Sequence, residues 1–102
     1  MIFNFGDLTN IPSFKAQTAV TIANASTRVV NSNDTRIYLL LINDSDETIY
    51  VKFDSSAVLN EGLRLNANGG FYEMSPANAN LFQGAVNAIC ASGNKNLLVI
   101  EA

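Results

Sequence analysis

Short apolar runs separated by polar turns organise most of the chain. From Thr18 onward, clusters of Asn, Ser, Gly and Asp recur about every 8–12 residues, which is the spacing of turns in sandwiches and barrels. In "TIYVKFD", Ile49, Val51 and Phe53 alternate with polar residues, as in a strand with one buried face. The pattern predicts an all-β fold, an antiparallel β-sandwich of about eight strands that is jelly-roll-like or immunoglobulin-like.

The predicted organisation is an extended N-terminal arm, residues 1–17, followed by one β-sandwich domain, residues 18–102. The predicted strands are residues 18–23, 26–31, 36–43, 48–54, 63–67, 70–75, 84–92 and 96–102. A chain of 102 residues is long enough for one core and too short for two.

Two of these strands are apolar on both faces. In "IYLLLI" and in "LLVI", consecutive residues are apolar, although an antiparallel sandwich normally buries only one face of each sheet. Something is therefore expected to cover the second face, either the N-terminal arm or another subunit. For the first of these strands, the second face carries Tyr38, Leu40 and Ile42, which we predict to be contact residues.

The first 17 residues contain apolar side chains without a helical or strand period. Gly6 and Pro12 interrupt any regular element. We expect this arm to pack on its own domain or to reach a neighbouring subunit, and the alternative is that it is disordered. Its predicted contact residues are the large apolar ones, which are Ile2, Phe3, Phe5, Leu8, Ile11 and Phe14.

Charge and composition reduce the number of possible partners. The net charge is −3, and the six basic residues are scattered, whereas phosphate neutralisation and anionic membrane surfaces both require clustered Lys and Arg. No nucleic acid and no membrane partner is therefore predicted. The 14 asparagines favour turns. The short side chain of asparagine forms hydrogen bonds with nearby backbone groups, and the residue tolerates left-handed conformations.

An acidic cluster, Asp44, Asp46 and Glu47, lies between two apolar runs in "LLLINDSDETIYVKF". A calcium loop of the EF-hand type that began at Asp44 would need Gly at its sixth position and Glu at its twelfth. Those positions hold Ile49 and Ser55. The cluster is therefore predicted to be a hairpin turn, whose charges keep the tip in water.

Catalytic chemistry is not indicated anywhere in the chain. There is no histidine, which removes the commonest general base and the commonest zinc ligand. The single cysteine, Cys90, lies in a small-residue strand and is expected to be a buried small hydrophobe. We predict no enzymatic activity, no metal and no cofactor.

Three segments have a recurring strand-turn-strand form: "RIYLLLINDSDETIYVKF", "GLRLNANGGFYEMSP" and "GAVNAICASGNKNLLVIE". Together they resemble small structural proteins of tailed bacteriophage virions over residues 36–101. The pair "GGFYE" and "GAVNAICASG" carries most of this resemblance, and its motifs are β-hairpin signatures.

The resemblance implies a virion structural protein without catalytic activity. The expected role is a capsid cement or decoration protein on the capsid exterior, which clamps the major capsid protein and forms a homo-oligomer, a trimer or dimer. A tail, fibre or baseplate module is the alternative, with Tyr50 and Tyr72 as a receptor surface. A carbohydrate-binding sandwich is a weaker alternative, because such modules present Trp and this chain has none.

Overall fold

The computed structural model describes Phe14 and residues 16–102. Of the predicted arm contacts, Ile2, Phe3, Phe5, Leu8 and Ile11 lie outside this part of the chain. The described residues form eight strands: β1 Ala16–Ile22, β2 Thr27–Val30, β3 Leu39–Asn43, β4 Ile49–Phe53, β5 Leu63–Leu65, β6 Phe71–Met74, β7 Val86–Ile89 and β8 Lys95–Glu101. Each overlaps one predicted strand, so the all-β prediction is confirmed. β1 begins at Ala16, two residues before the predicted start.

The strands form two antiparallel sheets of four. The first sheet has the order β1-β8-β3-β6, and the second sheet has the order β2-β7-β4-β5. The chain therefore pairs β1 with β8, β2 with β7, β3 with β6 and β4 with β5, like one long hairpin that has been rolled up. This is the jelly-roll arrangement, and it decides between the two sandwich types that the sequence left open.

The predicted hairpin at residues 43–48 is wrong in its pairing. β3 belongs to the first sheet and β4 to the second, so the turn between them crosses from one sheet to the other. The same is true of the turns that join β5 to β6 and β7 to β8, which the sequence also indicated as hairpins. Among consecutive strands, only β4 and β5 pair with each other. Turn residues mark where a strand ends, but they do not determine which sheet the next strand joins.

The core lies between the inner faces of the two sheets. Alternate residues of β3 and β8 point into it. The second sheet contributes alternate residues of β4 together with Val86 and Ala88 of β7. The fully buried large apolar side chains of the core are Ile22, Leu39, Leu41, Ile49, Val51, Leu65, Met74, Val86, Leu97 and Val99. Cys90 is buried among them, and its burial raises the pKa of the thiol. The expectation for Cys90 is confirmed.

One charged side chain, Arg36, is fully buried at the edge of this core. Its Nε donates to Glu101 Oε2 at 2.7 Å, and its Nη1 donates to the carbonyls of Phe82 and Gly84 at 2.8 and 3.0 Å. Its Nη2 donates to the carbonyl of Asn31 at 2.7 Å. Because a buried charge is costly unless it is paired and hydrogen-bonded, this arginine is satisfied on every side. Arg36 therefore ties the β2–β3 and β6–β7 loops to the end of β8.

The asparagine-rich turns have the backbone conformation that their composition predicts. Asn60, Asn68 and Asn94 have φ of 65°, 60° and 56°, in the left-handed region that asparagine tolerates. Gly62 also has positive φ, and a Cβ at that position would lie 2.3 Å from the carbonyl oxygen of Val51. Only glycine fits this turn of the β4–β5 hairpin.

Candidate interaction surface

The outer face of the first sheet is apolar along its two central strands. Leu40 and Ile42 of β3 alternate with buried Leu41 and therefore point away from the core. They pair with Ile100 and Leu98 of β8, which point the same way. The two strands that the sequence singled out as apolar on both faces are thus neighbours, and their second faces form one surface.

The apolar surface continues to both edges of the sheet. Phe71 of β6 pairs with Ile42 and is 66% exposed, the most exposed of the large hydrophobic side chains in the described part of the chain. On the other side, Ala19 of β1 pairs with Leu98. A row of apolar side chains therefore crosses all four strands.

Tyr38 and Phe14 lie at one end of this surface. Their rings meet edge to face, with centroids 5.9 Å apart and an interplanar angle of 89°. The Tyr38 hydroxyl donates to Glu73 Oε2 at 2.6 Å, and this bond to a carboxylate, together with burial, raises the pKa of Tyr38. Phe14 remains 54% exposed, so its ring extends the surface into solvent.

We call this surface the apolar face. It consists of Phe14, Ala19, Tyr38, Leu40, Ile42, Phe71, Leu98 and Ile100. Sequence reasoning found Phe14, Tyr38, Leu40 and Ile42 and indicated the second strand, but it missed Phe71 and Ala19. Phe71 lies in β6 and Ala19 in β1, and neither of these strands has an unusual sequence pattern. Only the pairing of β6 and β1 with the central strands brings the two side chains to the same face.

The outer face of the second sheet is polar and internally hydrogen-bonded. Arg28 Nε donates to Asn87 Oδ1 at 2.9 Å, and Asn87 Nδ2 donates to the carbonyl of Ser55 at 2.7 Å. Lys52 forms an ion pair with Glu61 at 2.8 Å. Arg28, Asn87 and Lys52 therefore find their partners within the chain.

The two tyrosines considered for a receptor surface have different environments. Tyr50 lies on the outer face of the second sheet, where its hydroxyl donates to Asn60 Oδ1 at 2.8 Å. Tyr72 pairs with buried Leu41 and packs against the core. Only Tyr50 is therefore placed on an outer face.

The acidic cluster is held by its own neighbours. Glu47 accepts hydrogen bonds from the backbone N–H and the hydroxyl of Ser92, at 2.9 and 2.7 Å, and these bonds lower the pKa of Glu47. Asp46 accepts from Lys95 Nζ at 2.7 Å, and this bonded lysine lowers the pKa of Asp46. Asp46 and Glu47 therefore connect the β3–β4 turn to the β7–β8 turn.

A buried asparagine shapes the same turn from inside. The Nδ2 of Asn43 donates to the carbonyls of Glu47 and Leu65, at 2.8 and 3.0 Å, and its Oδ1 accepts from the Ser45 hydroxyl at 2.6 Å. Because the hydrogen bonds of its side-chain amide connect β3 to β5, Asn43 anchors the turn between the two sheets.

Within residues 14 and 16–102, no group of three or more His, Cys, Asp or Glu side chains is arranged to hold a metal ion. In the same part of the chain, no helix has the length and hydropathy needed to cross a membrane.

Comparison of this chain with known protein families, with curated proteins and with solved structures finds no match. The resemblance to virion proteins therefore rests on the sequence motifs alone.

Proposed function

We propose that this chain is a structural protein of a bacteriophage virion, a capsid cement or decoration protein on the capsid exterior. The observation that carries the proposal is the apolar face. An antiparallel sheet that is covered on one side only normally presents polar residues to water on the other. Here Leu40, Ile42, Leu98 and Ile100 are half-buried, and Phe14 and Phe71 are exposed. Contiguous apolar surface that remains in contact with water typically marks an interaction site.

The physical requirements of such a role agree with the surface. A cement protein clamps neighbouring capsomers by burying apolar area, and an interface of standard size buries about 1,600 Å² in total. The major capsid protein is the proposed partner. Aromatic side chains such as Phe14 and Phe71 are typical of residues that dominate the binding energy of interfaces. The jelly-roll fold is itself common in viral capsid and lectin domains, which is support by analogy only.

We also propose that the protein has no enzymatic activity and takes no cofactor. The chain contains no histidine, and its acidic cluster bonds to its own serine and lysine neighbours. These residues stabilise turns, which is a structural task.

The first test is the copy number of the protein in purified virions, measured by quantitative mass spectrometry. Hundreds of copies, in a simple ratio to the major capsid protein, are expected for a cement protein. A handful of copies would assign the protein to the tail or neck. Absence from the particle would contradict the virion role altogether.

The second test measures binding to capsids that lack the protein. Ile42→Lys places a charge at the centre of the apolar face and is expected to weaken capsid binding by about tenfold or more, the equivalent of 1.4 kcal/mol. Tyr50→Lys, on the polar outer face of the second sheet, is the matched control and should bind like the original chain. Equal binding by all three proteins would mean that the apolar face is not the capsid contact.

Removal of residues 1–15 tests the contribution of the arm. If the arm contacts the capsid or another subunit through Ile2, Phe3, Phe5, Leu8, Ile11 and Phe14, the shortened chain should lose capsid binding or change its oligomeric state. Unchanged binding and an unchanged oligomer would contradict the arm hypothesis.

A tail, fibre or baseplate module remains the second candidate. The observation that favours it is the position of Tyr50 on the polar outer face of the second sheet, where an aromatic ring lies among hydrogen-bonding groups. In that case Tyr50→Lys would impair attachment or assembly, and Ile42→Lys would not.

A further inference from the structure

The four edge strands of the sandwich differ in how they are protected. β6 is four residues long, and the carbonyl of Glu73 on its edge accepts from the side chain of Asn80 at 2.9 Å. β5 has only three residues, and its middle residue is Arg64. β2 has four residues, with an irregular register between Arg28 and Val30. Short strands, charges and bulges are the features that prevent edge strands from pairing with other chains.

β1 has none of these features. It is seven residues long, contains no charged residue, no proline and no glycine, and pairs with β8 in continuous register. Gln17, Thr18, Ala19 and Thr21 are exposed. An exposed, regular and uncharged edge strand is a template for another strand.

The hydrogen-bond pattern of β8 shows which way it faces. Tyr38 and Ala102 exchange both backbone hydrogen bonds, and Asp44 N–H donates to the carbonyl of Asn96. Because antiparallel pairs alternate between bonded and non-bonded, the backbone groups of Leu98 and Ile100 also point toward β3. The backbone groups of the residues that alternate with them, such as Val99, point the other way, toward β1.

The same alternation assigns the free edge of β1. The backbone N–H and C=O groups of Val99 point toward β1, and Val99 pairs with Thr18. The backbone groups of Thr18 therefore form hydrogen bonds with β8. The N–H and C=O groups of Gln17, Ala19 and Thr21 therefore point away from β8, and no other described strand pairs with that edge. These three residues offer a regular row of donors and acceptors.

We propose that β1 pairs antiparallel with β1 of a second copy of this chain, about a two-fold axis with Ala19 opposite Ala19 and Gln17 opposite Thr21. The side chains that would meet are small or uncharged, so the strand is complementary to itself. An isologous contact of this type closes after two copies. The inference does not depend on the virion role.

The dimer would join the two first sheets into one sheet of eight strands. The two-fold axis of an antiparallel strand pair is perpendicular to the sheet, so both apolar faces lie on the same side. Ala19 belongs to the apolar face, and its pairing would make the two surfaces continuous. Dimerisation thus doubles the apolar area that is available to one partner.

The test uses the full chain and measures its mass in solution by light scattering and sedimentation over a range of concentrations. The original chain should be a dimer of 11.0 kDa subunits. Ala19→Pro removes a free-edge N–H without breaking the β1–β8 bonds and should shift the protein to monomer, weakening self-association by about tenfold or more. Phe71→Lys, on the opposite edge of the sheet, is the control and should leave the dimer intact.

A charge-exchange experiment keeps the test decisive if the proline variant fails to fold. Ala19→Lys and Ala19→Glu each place two like charges opposite one another and should each be monomeric. Mixing the two variants should restore a dimer with one copy of each. A monomeric original chain, a trimer, or a dimer that survives in all three Ala19 variants would overturn the proposal.

Discussion

The two outer faces of the sandwich have opposite chemistry, although each belongs to a four-stranded sheet and both sheets share one core. On the second sheet, Arg28, Lys52 and Asn87 bond to neighbouring groups of the chain. On the first sheet, the outward-facing residues of the two central strands include Leu40, Ile42, Leu98 and Ile100. The comparison teaches that these three polar side chains find partners within the chain, whereas the apolar face has surface to bury against a partner.

The largest expected effect separates the two faces of one strand. Leu41→Ala should lower the free energy of unfolding by about 2–5 kcal/mol, because it opens a cavity in the core. Leu40→Ala, one residue earlier and on the apolar face, should lower it by about 1 kcal/mol or less. Urea denaturation measures both. Equal losses would mean that Leu40 is fully buried in solution, so that the apolar face is already covered.

A second pair of variants compares the polar face with the apolar one. Asn87→Ala should lower the free energy of unfolding by about 1–3 kcal/mol, because Arg28 and the carbonyl of Ser55 lose a partner in a largely buried place. Phe71→Thr should change it by no more than about 0.5 kcal/mol, since Phe71 is mostly exposed. Thermal unfolding of both variants checks this order. A larger loss for Phe71→Thr would show that the ring packs against something in solution.

The smallest effect concerns the turns that connect the two sheets. The hydrogen bonds from the backbone N–H and hydroxyl of Ser92 hold the pKa of Glu47 below the usual value for a glutamate. A depressed carboxyl pKa stabilises the fold at pH values above the unfolded pKa, and this contribution disappears as the pH falls through the folded pKa. Glu47→Gln should therefore be less stable than the original chain at neutral pH and should lose that difference in acid.

Urea midpoints measured at neutral and acidic pH test this dependence. Ser92→Ala should reduce it only in part, because the backbone N–H of Ser92 remains as a donor to Glu47. A constant difference between Glu47→Gln and the original chain at all pH values would contradict the assignment.

Much of the fold could be predicted from local sequence. The alternation in "TIYVKFD" and the Asn-rich turns identified all eight strands, because strand faces and turn conformations depend on residues close together in the chain. The burial of Cys90 was also predictable. Tyr38, Leu40 and Ile42 of the apolar face followed from the same reasoning, since a strand that is apolar on both sides must have an apolar outer face wherever it lies in a sandwich.

Pairing could not be read from the same signals. "INDSDETIY" looks like a hairpin, but the turn crosses between sheets. β3 pairs with β6 and β8, which are distant in sequence, and not with β4. Arg36 gave no sign of burial, since its partners Asn31, Phe82, Gly84 and Glu101 come from three separate segments. Phe71 and Ala19 could not be assigned to the apolar face either, because strand pairing between distant segments places them there.

The sequence by itself determined where the strands lie, which of their residues alternate and that two strands have no polar face. The tertiary structure decided that these two strands are neighbours, that their outer faces merge with Phe71 and Ala19, and that β1 lies at an edge. The physical reason is the distance along the chain over which each interaction acts. Periodicity and turn chemistry act over a few residues, whereas the hydrogen bonds of a rolled-up hairpin join residues as far apart as Ala16 and Glu101.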